Sequence, residues 1–275
     1  MKKYNKAPLP FQGQKRNFLN KFKEALNEFP EDAIYIDLFG GSGLLSHTVK
    51  TFYPNSHVIY NDFDKYSERL KNIDKTNNLI KDIRTILSDV PYNSKVNDVK
   101  RIEIIERIKT ESCFVDYITL SSNILFSGRV ADNLKELEKQ SFYNRIVNTD
   151  YNSENYLNGV EIVTKDYREL FKKYKEYNNI IFLLDPPYLS TDVTRYKNMG
   201  YWKLTNYLDV LKTIEDRSFF YFTSSKSQII ELLDWLHVNQ YKESPFNVAT
   251  TKTVYASTGD GNGYEDIMIY KYVGR

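Results

Sequence analysis

The run with the clearest chemical content is Ile180-Ile181-Phe182-Leu183-Leu184-Asp185-Pro186-Pro187-Tyr188, an apolar stretch that ends on a carboxylate, two prolines and an aromatic ring. Proline fixes φ and lacks an N–H, so a strand cannot continue through it and the carbonyls of Asp185 and Pro186 become rigid acceptors. That set suits methylation of an exocyclic amine on a nucleobase. Such an amine is a poor nucleophile, because its lone pair is delocalised into the ring. A carboxylate and a backbone carbonyl accepting its two N–H bonds would favour a pyramidal nitrogen, and an in-line methyl donor then needs only correct placement. Tyr188 offers an extruded base a face to stack on, worth roughly 1–3 kcal/mol in single-strand binders. The plain structural alternative is a tight turn after a buried strand, with Tyr188 capping the core.

A second run, Asp37-Leu38-Phe39-Gly40-Gly41-Ser42-Gly43, follows the short apolar stretch Ala33–Ile36. Ligands of open parallel sheets bind beyond the carboxyl ends of the strands, and glycines there let the backbone bend tightly and a ligand approach. Asp62 falls 19 residues after Gly43, where a nucleotide-binding unit places an acid on ribose hydroxyls. The pattern is not G-x-G-x-x-G, and no basic residue stands beside it to hold pyrophosphate. With Asp37 in place, a cationic nucleoside bearing an amino acid, such as S-adenosylmethionine, suits the turn better than a dinucleotide.

The elements that must carry these runs alternate. Apolar Phe18, Leu19, Phe22, Leu26 and Phe29 have helical spacing within 15–29. A strand is expected at 33–38, a helix at 44–52, a strand at 57–61 and a long helical pattern from there to about Asp89. Strand–glycine turn–helix–strand is a parallel βαβ unit. Residues 91–157 are polar, helix-leaning and nearly balanced in charge, and read as an inserted domain. Alternation resumes with strands at 160–163, 180–184 and 219–222 and helices near 169–177 and 226–238. Two β-rich stretches, 244–255 and 265–273, flank Gly259-Asp260-Gly261-Asn262-Gly263 and suggest a terminal antiparallel hairpin. The expectation is a doubly wound α/β sheet, with 1–90 and 158–275 forming a discontinuous catalytic domain around the insert.

At 275 residues, with 41% hydrophobic and 27% charged residues and a net charge of +2, the chain has the composition of an ordinary globular protein. Charge alone does not announce a nucleic-acid partner. Residues 1–23, however, carry Lys2, Lys3, Lys6, Lys15, Arg16, Lys21 and Lys23 without an acid, a cluster that could neutralise phosphates or serve as a solubilising surface. The excess of aromatics, 23 Tyr and 16 Phe, could stack bases or fill a core. The single Cys113 excludes an internal disulfide. The absence of an apolar leader or a membrane-length apolar run adds to an expectation of a cytoplasmic protein. His47, His57 and His237 lack metal-ligand spacing, so no metal is expected.

On these motifs the chain resembles the Dam-type (D12 class, α-group) N6-adenine-specific DNA methyltransferases along nearly its whole length. Phe11-Gln12-Gly13-Gln14-Lys15 resembles that family's N-terminal cofactor motif. The glycine turn, an inserted target-recognition domain at 91–157 and Asp-Pro-Pro-Tyr follow in the family's order. The resemblance implies a seven-stranded Rossmann-like methyltransferase sheet with an antiparallel last strand. It implies transfer of methyl from S-adenosylmethionine to N6 of a flipped adenine in double-stranded DNA. Asp185, Pro186, Pro187 and Tyr188 would hold the base. Phe11, Gly13 and Lys15 would wall the methionine side of the cofactor, and Asp37, Phe39, Gly40, Gly41 and Gly43 would lie near its amino-acid moiety. Asp62 would meet the ribose, and Asp166 with Tyr167 the cofactor adenine.

Within the insert, Asn123–Arg129 and Phe142–Arg145 could contact DNA. Arg129 and Arg145 are candidate guanine readers, or else contacts to phosphate or solvent. The first motif departs from the family pattern in having Gly13-Gln14 before its Lys. Lys226, in Thr223-Ser224-Ser225-Lys226, carries no assigned role.

The readings left beside adenine methylation are cytosine-N4 methylation, a catalytically silent DNA-binding module, and a small-molecule or protein N-methyltransferase. Cytosine-C5 chemistry would need a nucleophilic Cys, and Cys113 reads as a buried small residue instead. A monomer is the working expectation. The target sequence and any partner restriction nuclease are left open.

Overall fold

A computed structural model of the chain describes residues 2–112, 114–188, 202–240, 244–257 and 263–274. Cys113 and the hairpin turn at 258–262 lie outside the described residues. Strands β1 (Ile34–Asp37) and β2 (His57–Asn61) flank helix α2 (Leu44–Phe52), after a 3-10 turn at Arg16–Phe18 and helix α1 (Leu19–Leu26). Helices α3 (Tyr66–Lys71), α4 (Ile73–Ile86), α5 (Asp98–Lys109), α6 (Tyr117–Ile124) and α7 (Leu134–Glu138) follow. Then come β3 (Glu161–Val163), α8 (Tyr167–Tyr174), β4 (Ile180–Leu184), α9 (Leu204–Ile214), β5 (Ser218–Ser224), α10 (Gln228–Val238), β6 (Thr250–Ser257) and β7 (Gly263–Lys271).

The seven strands form one sheet in the order β3-β2-β1-β4-β5-β7-β6. β1 to β5 are parallel, whereas β7 runs antiparallel to both β5 and β6. Order reverses between β1 and β4, and such a switch point opens a crevice at the strands' carboxyl ends. β4 is buried at all five positions, as expected of a central parallel strand covered on both faces. Alternate residues of β4 enter two cores. Phe182 and Leu184 join Tyr167, Leu170, Val210 and Ile229 on one side. Ile181 and Leu183 join Phe18, Phe22, Val49 and Phe220 on the other. With each buried aliphatic or Phe side chain worth about 1.5–3 kcal/mol, the residue that ends β4 is held firmly.

The stretch expected to be β-rich from 244 becomes a strand only at Thr250, and three details of the helices differ from the sequence expectation. The first helix stops at Leu26, where the Tyr53 hydroxyl donates to the carbonyls of Leu26 and Phe29 and so satisfies acceptors a longer helix would have used. The long pattern before Asp89 is two helices, because the chain leaves the helical conformation at Asn72, with φ −104 and ψ 19. Helix α9 is an element beyond the sequence expectation. It begins where Lys203 N–H donates to Asn206 Oδ1, 2.9 Å, and buries Tyr207, Val210, Leu211 and Ile214.

A third core is built across residue 90. Leu79, Ile80, Ile83 and Leu87 of α4 and its end pack with Ile104, Ile108, Leu120, Ile124 and Phe142. A buried ion pair ties this unit to the sheet. Arg69 Nε of α3 donates to Asp116 Oδ2 at 3.0 Å, and its Nη2 donates to Thr119 Oγ1 and to the Pro10 carbonyl. No helix among the described residues is long and apolar enough to cross a membrane.

Candidate active site

β1 and β4 are neighbours in register, with Asp37 opposite Leu183. Their ends therefore bring together the two runs that the sequence singles out. Gly43 takes φ +72 and ends the turn as the cap of α2, its N–H donating to the Gly40 carbonyl at 2.7 Å. At Gly40 a Cβ would stand 2.1 Å from the Tyr60 ring and 3.0 Å from the Asn61 carbonyl. That ring cannot yield, because the Tyr60 hydroxyl donates both to the Gly41 carbonyl and to Asp62 Oδ1. Phe11 lies over the bare face of Gly41, where a Cβ would sit 3.0 Å from its ring. Tyr156, from the end of the insert, donates its hydroxyl to the Ser42 carbonyl and braces the turn from outside.

Asp37 is fully buried. Its Oδ2 accepts from Ser46 Oγ at 2.7 Å, and its Oδ1 has no partner of good hydrogen-bond geometry among the described residues. Burial pushes the carboxyl up to about 7; the Ser46 bond, the nearby Phe39 amide and Lys15 oppose the rise, and Asp185 adds to it. An orphaned acidic oxygen beneath a glycine cradle fits the ammonium of an amino-acid ligand. The cofactor implied by the family therefore fits the residues present.

Asp62 is 2% exposed. Its Oδ1 accepts from Tyr60 Oη and the Tyr66 amide, and its Oδ2 from the Ser67 amide. It therefore caps α3 as well as facing the turn. Asp166 caps α8, accepting from the Arg168 amide at 2.8 Å. Tyr167 is buried beside Phe39 and stacks on Trp202, with centroids 5.7 Å apart. Phe39, Tyr167 and Trp202 thus form one aromatic wall, and Trp202 is a member no sequence motif marks.

The decisive pairing is between Lys15 and Asp185. Lys15 Nζ donates to Asp185 Oδ2 at 2.5 Å and to the Gly13 carbonyl at 2.7 Å, and stands 5.4 Å from the centre of the Tyr188 ring. Lys15 is 7% exposed and Asp185 20%. Burial raises the Asp185 carboxyl, Lys15 opposes that rise, and Asp266 of β7 reinforces it. Asp266 is itself raised by burial and held back by Lys15. Pro186 and Pro187 are buried, while Tyr188 is half-buried.

Lys15 is set apart from the exposed cations of the N-terminal cluster, because it is buried against the Asp185 carboxylate. Of that cluster, Lys21 is engaged with the Thr253 carbonyl. Asp266 was missed for a related reason: it is brought in from a strand 81 residues beyond Asp185, by pairing opposite Ser224. The two insert segments do meet. The Tyr143 amide donates to the Ile124 carbonyl and the Arg145 amide to the Asn123 carbonyl, and Phe126 and Tyr143 approach to 5.4 Å. Arg129 is exposed and Arg145 half-buried beside them.

A seven-stranded sheet with a reversed β7, a glycine turn after β1 and an acid ending β4 define a Rossmann-like methyltransferase. Residues 11–253 match the D12 class N6 adenine-specific DNA methyltransferase family, and the chain belongs to it. It is 36% identical to a Haemophilus influenzae protein that bears the provisional name of a methyltransferase, over 98% of this chain and 94% of that one. Among solved structures, a precorrin-6Y C5,15-methyltransferase from Geobacter metallireducens aligns over 98% of this chain and 97% of its own. It does so at 8% identity and a TM-score of 0.38, so the fold assignment rests on this chain's own strand order.

Proposed function

We propose that the protein methylates N6 of an adenine flipped out of double-stranded DNA at a specific sequence, using S-adenosylmethionine. The observation that carries this reading is the Asp185–Tyr188 tetrapeptide. It ends a fully buried strand directly beside the turn whose Asp37 has an unpartnered oxygen. When bound, S-adenosylmethionine supplies a methyl group activated by its sulfonium.

The protein's own residues do the rest. Asp37 Oδ1 accepts from the ligand ammonium, and Gly40 and Gly41 let the backbone close on it. Phe11 and Gly13 wall the methionine side. Asp62 offers the remaining acceptor capacity of Oδ2 to a ribose hydroxyl, and Asp166 with the Phe39–Tyr167 wall receives the cofactor adenine. Asp185 and the Pro186 carbonyl accept the two N–H bonds of the target amine while Tyr188 stacks on its ring. Transfer would form the N–CH₃ bond as the S–CH₃ bond breaks, leaving a neutral thioether, and Asp185 would take the proton that the cationic amine sheds. Lys15, released from Asp185 as the amine takes its place, keeps the carboxylate from neutralising before the reaction. Residues 91–157, with α5 to α7 packed against α4, form the target-recognition unit and present Arg129, Arg145, Phe126 and Tyr143 to the duplex.

The test is incubation of the purified protein with duplex DNA and S-adenosylmethionine, followed by long-read mapping of modified bases. The expected product is N6-methyladenine in one sequence context, absent with Asp185→Ala. N4-methylcytosine, or no modification by the wild type, overturns the reading.

A further inference from the structure

The turn joining β5 to α10, Ser225-Lys226-Ser227, has features that the catalytic reading does not use. It lies at the carboxyl end of a parallel strand and opens an eleven-residue helix. The turn is rigid. Ser225 N–H donates to the Glu265 carbonyl at 2.8 Å, Ser225 Oγ accepts from the Glu265 amide at 3.0 Å, and Ser227 N–H donates to the Ser224 carbonyl at 2.9 Å.

A helix leaves the N–H groups of its first turn without intrahelical partners and carries roughly half a positive charge there. Serine at the cap normally accepts from one of them. Here Ser227 is extended, with φ −88 and ψ 125, and its side chain makes no capping bond. The side chain is only 6% exposed, and its Oγ is buried without a partner among the described residues. Ser227 is one of the residues that line a groove of about 600 Å³, whose near end also holds Ser225, Lys226 and Gln228. Lys226 Nζ stands 4.3 Å from the ring centre of Tyr264. Glu231 and Asp234 line the groove farther along α10, and their charge restricts an anion to the Ser225–Gln228 end.

We propose that this turn binds a backbone phosphate of the DNA, that of a nucleotide flanking the target adenine. The proposal rests on the reading of the protein as a DNA methyltransferase. A phosphodiester only accepts hydrogen bonds, and this end of the groove offers the Ser227 hydroxyl and the Lys226 ammonium as donors at the positive end of α10. Position supports the same ligand. β5 pairs with β4, Leu184 opposite Tyr221, and Ser224 pairs with Asp266, the carboxylate that shares the field of Lys15 with Asp185. The turn is therefore one strand away from the site that would hold the extruded base. A phosphate gripped there fixes the strand on which that base is carried.

The experiment measures duplex affinity against KCl concentration for the wild type, Lys226→Gln, Lys226→Arg and Ser227→Ala. Loss of one phosphate contact should reduce the slope of log K against log salt by about 0.9 in Lys226→Gln, with Lys226→Arg close to wild type. Ser227→Ala should weaken binding at unchanged slope. Melting temperature and S-adenosylmethionine affinity should match wild type, which separates these effects from misfolding. A duplex with one uncharged methylphosphonate beside the target adenine should bind the wild type more weakly and Lys226→Gln no more weakly still.

An unchanged slope in Lys226→Gln, with normal wild-type methylation, overturns the inference alone. So do additive losses from the methylphosphonate and the variant. Saturable binding of inorganic phosphate, lost in Lys226→Gln while the DNA slope stays at its wild-type value, assigns the groove to a free anion and overturns it too. A wild type that neither binds nor modifies DNA sinks the functional reading and this inference together.

Discussion

Lys15 Nζ sits 2.5 Å from Asp185 Oδ2, joining the chain's fifteenth residue to the end of its central strand across 170 positions. The contact is mostly buried, so its charge balance is felt by the carboxylate rather than screened by water. It places the N-terminal motif and the tetrapeptide in one chemical unit.

Removing the cation tests that unit. In Lys15→Met, Asp185 loses the charge that opposes its burial, so its carboxyl titrates higher. A reaction that needs the carboxylate should then show the acid limb of its kcat/KM profile at higher pH than in the wild type. Lys15→Arg should restore part of the shift. A limb that stays in place would disconnect Lys15 from Asp185.

Removing the carboxylate tests the assignment of roles. Asp185→Ala should bind S-adenosylmethionine nearly as well as the wild type in calorimetry, while methyl transfer falls by about 10²–10⁴-fold. Equal losses in both would move Asp185 from the target side to the cofactor side.

Asp37 makes stability and binding depend on pH in opposite senses. Its carboxyl moves from an ordinary 3.8 to about 7 on folding. Between those values the folded protein holds a proton that the unfolded chain has lost. Its contribution to stability therefore declines as pH rises from about 4 to about 7 and is level above. An ammonium ligand needs the carboxylate, so affinity should climb over the same range and then plateau. Urea melts and calorimetry from pH 4.5 to 7.5 read the two trends, and Asp37→Asn should flatten both.

Gly40→Ala should destabilise the protein by about 1–3 kcal/mol, because the added methyl meets a Tyr60 ring that is pinned at its hydroxyl. Denaturant unfolding measures the loss. Tyr60→Leu on the same background should recover part of it.

Arg69→Met leaves Asp116 as a buried charge without its cation and should cost about 3–5 kcal/mol. The double change Arg69→Met with Asp116→Leu should cost much less. A double-mutant cycle by urea denaturation decides between an ion pair needed for its charge and one that can be replaced by packing.

The sheet's parallel half was legible because each strand is a short apolar run bounded by helix or turn residues. Asp37, Gly40–Gly43 and Asp185–Tyr188 were legible because strand ends and glycine turns leave local marks. Lys15's partner was not, since nothing near residue 15 points to residue 185. Asp266 and Trp202 likewise owe their place to pairing and packing between distant segments. Helix α9 carries its buried Tyr207, Val210, Leu211 and Ile214 at helical spacing but has no motif beside it.

The place of β7 has a consequence for a shortened chain. It is the latest strand in the chain order, yet it lies between β5 and β6. A chain lacking residues 263–271 would therefore leave the β5 edge at 218–224 unpaired and residues 250–257 without a neighbouring strand, two backbones open to pairing with other chains.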